Sequence, residues 1–150
     1  MTATNHALTG AFIGLVIINP LIALPLALLS HFVCDAIPHF GSGHDHIEAN
    51  WFKRLLIVDI GVCVVIAGVF ATARPEHWFL AIVCAVLATS PDAMWLPHFI
   101  RARRGVSFKS EVPLLLRFHG AIQWFERPSG AAVEIVWAAA FITMLTLIAV

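Results

Sequence analysis

Residues 7–34 read ALTGAFIGLVIINPLIALPLALLSHFVC, and this stretch decides the class of the protein. It holds 28 residues without a single Asp, Glu, Lys or Arg. As one α-helix it would extend roughly 42 Å, more than the ~30 Å hydrocarbon core of a bilayer. Asn19-Pro20 stands in its middle. Asn is a good helix N-cap, and Pro is favoured at the first helical position. The expected reading is therefore two short helices, about 4–18 and 20–37, joined by a tight turn. The alternative is one long helix kinked at Pro20.

Working outward, three further apolar runs follow at about 52–72, 77–96 and 130–150. Arg74-Pro75-Glu76 separates the first two, Ser90-Pro91-Asp92 interrupts the second, and Pro128-Ser129-Gly130 leads into the third. Residues 101–127 differ. After Pro113, Leu114, Leu115, Phe118, Ile122 and Phe125 fall on one helical arc, with His119, Gln123 and Glu126 on another. That pattern predicts an amphipathic helix lying in the membrane interface. The expected fold is all-α, a single multi-pass membrane domain with about five transmembrane helices and one interfacial helix.

Composition agrees. Of the 150 residues, 60% are hydrophobic and 12% charged. Soluble domains have about 45–50% and about 25%. An ordinary soluble globule, a disordered chain and a nucleic-acid-binding module are excluded on that ground. Formal net charge is zero, so no bulk electrostatic partner is implied. Cys34, Cys63 and Cys84 each sit inside an apolar run, form no C-x-x-C pair, and read as packing residues. No Lys or Arg precedes Lys53. The first stretch thus lacks the basic region of a secretory signal and is expected to be retained.

Five helices put the N-terminus, the 38–51 loop and the 101–127 segment on one side. That side carries Lys53, Arg54, Arg101, Arg103, Arg104, Lys109, Arg117 and Arg127, against Arg74 alone on the other. The positive-inside rule makes the first side cytoplasmic, with the C-terminus outside. The basic residues need no further role than this topology. Seven of the eight histidines share the basic side, His77 being the exception. The hairpin matters here, because it returns His6 to the same end as the others.

Ser30-His31-x-x-x-Asp35-x-x-Pro38-His39 is the densest polar motif. His31, Asp35 and His39, at i, i+4 and i+8, lie within about 80° on one helix face. Two imidazoles and a carboxylate in that array make half of a divalent-metal site, with zinc the default ion for N/O donors. The competing reading is a hydrogen-bonded polar seam that locks helices together. His44-Asp45-His46 would chelate only from an extended loop. Asp59, alone in an apolar helix, needs an inward partner or a proton. Asp92 follows Pro91, which removes a helix hydrogen bond and frees a nearby carbonyl. His119 would lie on the inward stripe of the interfacial helix. Arg127-Pro128-Ser129-Gly130 superficially matches part of a lipid-phosphatase signature. The Ser-Arg of that signature is missing and its His-x-x-x-Asp stands in the wrong order, so the assignment is rejected.

These residues resemble the bacterial membrane-bound metal-dependent hydrolases of the YdjM-like group. The shared features are His6-x-x-x-Gly10, a hydrophobic hairpin, the helix-end His31, Asp35 and Pro38-His39, the later Pro91-Asp92, and Phe118-His119 through Gln123-Trp124-Phe125-Glu126-Arg127-Pro128. The group's usual His-Arg-x-x-Thr-His-Ser step is absent. The resemblance implies a metal, a hydrolysis and a bacterial inner-membrane location. On this reading His6, His31, Asp35, His39 and Asp92 hold one or two divalent ions, zinc by default. His119 and Asp92 carry catalysis, His119 as general acid or base. Arg101, Arg103, Arg104 and Arg127 pair with a phosphate headgroup. The expected substrate is a lipid-linked phosphoester entering from the bilayer. Two other readings stay open. One is a metal or proton transporter along the same seam, against which the nearly apolar outer halves offer no exit. The other is a bis-His haem electron carrier built on His6, His31, His98 or His119.

Overall fold

The computed structural model describes residues 1–41, 50–97, 100 and 113–149. Six α-helices occupy them: α1 (Ala3–Val16), α2 (Pro20–Asp35), α3 (Asn50–Ala73), α4 (Trp78–Thr89), α5 (Leu114–Ile122) and α6 (Ala131–Ala149). A 3-10 segment, Ser90–Trp95, continues α4, and another, Pro128–Gly130, leads into α6. Among the described residues the only β-pairing is an isolated parallel bridge between His39 and Glu126.

The 28-residue run does break into a hairpin. The Asn19 side chain accepts the Leu21 N–H at 3.0 Å, and Pro20 opens α2. The break has a consequence for length. At 14 and 16 residues, α1 and α2 reach about 21 and 24 Å, short of a ~30 Å hydrocarbon core. Among the described residues, three helical stretches are long and apolar enough to cross a membrane: Trp51–Ala73, Trp78–Trp95 and Pro128–Ile148. The turn expected at Arg74-Pro75-Glu76 separates α3 from α4, with Arg74 and His77 both at positive φ.

Helix α1 runs through the middle. It packs on α2, α3, α4 and α6, and most extensively on α4. Small residues permit this approach. A Cβ on Gly14 would stand 2.6 Å from the Ala81 Cα, and one on Gly10 would stand 2.8 Å from the Ala88 Cβ. Ala7, Leu8, Ala11 and Leu15 complete the buried face against Phe70, Ala81, Ala85 and Leu145. Helix α2 uses the same device, with Ala23 and Ala27 buried against Cys84. The next residue in that i+4 series is His31, so the seam of small residues runs directly into the polar cluster. Cys34, Cys63 and Cys84 are free thiols within this packing.

Candidate metal centre

Each polar residue of the centre is placed by an identifiable local cause. His6 lies one turn before Gly10 on the buried face of α1. His31 and Asp35 end the inward face of α2. Asp92 stands in the 3-10 segment that Pro91 imposes on the end of α4. A 3-10 turn would draw the donor for the Ala88 carbonyl from residue 91, and proline has no N–H. That carbonyl instead accepts from His31 Nδ1 at 2.8 Å. The carbonyl expected to be freed near Pro91 therefore has a specific use. His119 and Leu116 form the buried side of α5, while Leu114, Leu115 and Phe118 face outward. The inward polar stripe is thus correct in direction. The helix stops at Ile122, so Gln123 and Glu126 reach inward from the turn that follows.

His31, Asp35 and His119 are fully buried. His31 Nε2 lies 3.1 Å from Asp35 Oδ2, 3.0 Å from His119 Nε2 and 3.6 Å from Asp92 Oδ1. His119 Nε2 lies 2.9 Å from Asp35 Oδ2 and 3.8 Å from Asp92 Oδ1. The four side chains each offer one donor atom, all within 4.8 Å of one another, and could hold a metal ion. Donors at 2.0–2.2 Å from a tetrahedral ion stand about 3.4 Å apart, and the five separations fall on both sides of that value. Three of the four residues come from different helices or segments far apart in sequence, so only folding assembles the set.

Hydrogen bonds fix which ring nitrogens carry protons. His31 Nδ1 donates to the Ala88 carbonyl, which leaves Nε2 as a lone pair facing the cluster. His119 is the reverse. The Trp95 indole N–H donates to its Nδ1 at 3.1 Å, and an indole nitrogen cannot accept. The neutral His119 ring therefore carries its proton on Nε2 and presents an N–H to Asp35 and His31. Gln123 Nε2 adds a contact to Asp35 Oδ2 at 3.3 Å.

His6 meets the same carboxylate from the far side. Its Nε2 lies 3.1 Å from Asp35 Oδ1, and its ring stacks on His31 with centroids 4.0 Å apart. Its buried Nδ1 has no partner among the described residues. The Met1 amino group also contacts Asp35 Oδ1, at 2.5 Å. His6 is thus beside the four-donor cluster and not a member of it.

His39 falls elsewhere, and the expected i, i+4, i+8 array does not extend to it. Helix α2 ends at Asp35, so the periodicity that would align His39 stops four residues early. His39 Nδ1 instead donates to the Ile37 carbonyl at 2.8 Å. Its backbone carbonyl accepts the Arg127 N–H at 3.0 Å. Gly130 is required there, since a Cβ would stand 2.7 Å from the His39 Cα.

The two other intramembrane acids are anchors. Asp59 accepts the N–H groups of Ala3 and Thr4 at 2.7 and 2.9 Å, capping α1 from a neighbouring helix. Glu134 accepts from the N–H of Thr2, the Asn5 side chain and the N–H of Phe40 at 3.0–3.1 Å. The partner that Asp59 needed is a helix N-terminus. Sequence reasoning missed Trp95 as the donor to His119. No pattern announces it, because the contact spans 24 residues between different elements. His44, Asp45, His46, His98, Arg101, Arg103, Arg104 and Lys109 lie outside the described residues.

No family model, curated protein or solved structure matches the chain.

Proposed function

We propose that this chain is a membrane-embedded, metal-dependent hydrolase of the bacterial inner membrane, acting on a lipid-linked phosphoester at the cytoplasmic face. The observation that carries the reading is the convergence of His31, Asp35, Asp92 and His119 donor atoms within 4.8 Å. The resemblance to the YdjM-like hydrolases and the charge asymmetry of the sequence support it. So does the buried His6 Nδ1, which has no partner among the described residues.

The donor set fits a divalent ion of the zinc type. His31 Nε2 supplies a lone pair, and Asp35 and Asp92 supply oxygens. Three protein ligands with a fourth position left for water or substrate is the usual catalytic arrangement. Such an ion supplies Lewis acidity, polarising a phosphoryl oxygen and acidifying a water molecule. His6 steadies Asp35 from its outer oxygen. His119, neutral with its proton on Nε2, donates a hydrogen bond from that N–H to a phosphoryl oxygen. It does not act as the general acid, because giving the proton up while Nδ1 accepts from Trp95 would leave an imidazolate. Asp92, whose side chain is 39% exposed, is the member of the set that incoming water and substrate can reach; its carboxylate accepts the proton of the attacking water and then returns it to the departing alcohol oxygen. Arg127 stands near the interface to attract an anionic headgroup. In this reading the hairpin, α3, α4 and α6 give five crossings, with the N-terminus cytoplasmic and the two short hairpin arms drawing the site toward the interface.

Elemental analysis of the purified protein tests this. About one or two divalent ions per chain are expected, falling sharply in His31→Ala and Asp35→Ala. Asp92→Asn and His119→Gln should keep the fold while losing metal-dependent cleavage of a chromogenic phosphoester. Metal content unchanged in both ligand variants would leave a hydrogen-bonded seam as the role of the cluster.

A further inference from the structure

A cavity of about 510 Å³ adjoins the polar cluster. That volume lies in the range of single small-ligand sites, about 300–1,000 Å³. Leu55, Leu56 and Ile60 of α3 line it, as does Leu96 beyond the 3-10 segment. Asp92 and Gln123 also line it. Both belong to the cluster: Asp92 Oδ1 stands 3.6 Å from His31 Nε2, and Gln123 Nε2 stands 3.3 Å from Asp35 Oδ2. The cavity therefore borders the candidate centre; its α3 lining is apolar except for Asp59, and Asp92, Gln123 and Glu126 add polar groups.

Resting on the hydrolase reading above, we infer that this cavity holds the hydrocarbon chain of the substrate, with the chain along α3 and the phosphoester at Asp92 and Gln123. Three observations select a lipid chain as the occupant. First, the wall belongs to a helix long and apolar enough to cross a membrane, so a chain can enter it without passing through water. Second, the acid on that wall, Asp59, already has both oxygens hydrogen-bonded to the Ala3 and Thr4 N–H groups at the start of α1, so it is engaged within the protein. Third, Lys53 and Arg54 are exposed on the first turn of α3, beside the Trp51 and Phe52 that line the cavity. Cations beside the cavity favour an anionic amphiphile over a neutral one. A water-soluble phosphoester would gain nothing from the apolar wall.

The test is photolabelling of the full chain in nanodiscs. The probe is a dodecyl phosphate carrying a diazirine near the middle of its chain, with ethyl phosphate as competitor. Labelled peptides mapped by mass spectrometry should concentrate on residues 52–60 and 93–96. Ethyl phosphate should compete weakly and unlabelled dodecyl phosphate strongly. Leu56→Trp and, independently, Ala93→Leu add volume to the cavity from two different elements. Each should reduce labelling there about fivefold, the effect of overpacking by roughly 1 kcal/mol, while metal content stays at the wild-type value. Labelling spread evenly along α3 and unaltered by both variants would overturn the assignment. Because labelling needs no turnover, a protein without metal or activity that still labels selectively would refute the hydrolase reading and leave the chain site standing.

Discussion

The α1–α2 hairpin and α3 invert the rule that holds in water. Helix α3 is the longest helix, with 24 residues, and one of the most apolar, yet it lies at the edge with Ile57, Val58, Val64 and Val65 more than 60% exposed. Helix α1 has 14 residues, carries Asn5, His6 and Thr9, and buries all three. In a bilayer, apolar side chains are already satisfied by lipid, so hydrophobicity does not drive a helix inward. Small residues and mutually bonded polar groups do. The hairpin thus supplies the interior and the His6, His31 and Asp35 side of the cluster, and α3 supplies a membrane-facing wall.

The largest break in this comparison should come from Asp35→Ala. Asp35 meets His6, His31, His119, Gln123 and the Met1 amino group at once. Removing it strands buried donors, and a loss of about 3–5 kcal/mol is expected, read as a large drop in melting temperature in detergent together with lost metal. Next is Gly14→Val. The new side chain meets Ala81 backbone, and overpacking should cost about 1–3 kcal/mol or more. Gly61→Val on α3 is its control, since nothing lies within 4 Å of the added Cβ, and melting should barely move. Equal losses at Gly14 and Gly61 would erase the distinction between interior hairpin and peripheral helix.

Asp59→Ala sharpens it where α3 caps the start of the hairpin. It removes the acceptor for two α1 N–H groups, and a cap loss of about 0.5–2 kcal/mol is expected. The smallest stability effect should come from Asp92→Asn, within about 0.5 kcal/mol as for other partly exposed positions. Its metal content should nevertheless fall. A large melting loss in Asp92→Asn would move this residue from the reactive group to the structural one.

Much of the fold is legible in the chain itself. Asn19-Pro20 dictates the hairpin, since the cap and the proline act within a few residues. Pro91 dictates the 3-10 segment and with it the open Ala88 carbonyl. The i, i+4 spacing of His31 and Asp35 puts them on one face, because both lie inside the same helix. The extension to His39 fails for the complementary reason: periodicity predicts alignment only while the helix lasts, and α2 ends at Asp35. The reach of the two hairpin arms was also hidden, because an apolar run shows where a chain can enter lipid and not how far each helix extends.

The sequence by itself determined the class of the protein, the hairpin, the placement of helix breaks and the residue types available for chemistry, all of which follow from local backbone preference and hydropathy. Tertiary structure decided how those residues are used. Two acids of the same kind, Asp59 and Asp35, became a helix cap and the hub of a four-donor cluster because of what packs against each. His119 acquired its Nε2 proton from the position of Trp95 on another segment. Such assignments depend on contacts between residues far apart in the chain, where spacing carries no information and only packing brings the atoms within hydrogen-bonding distance.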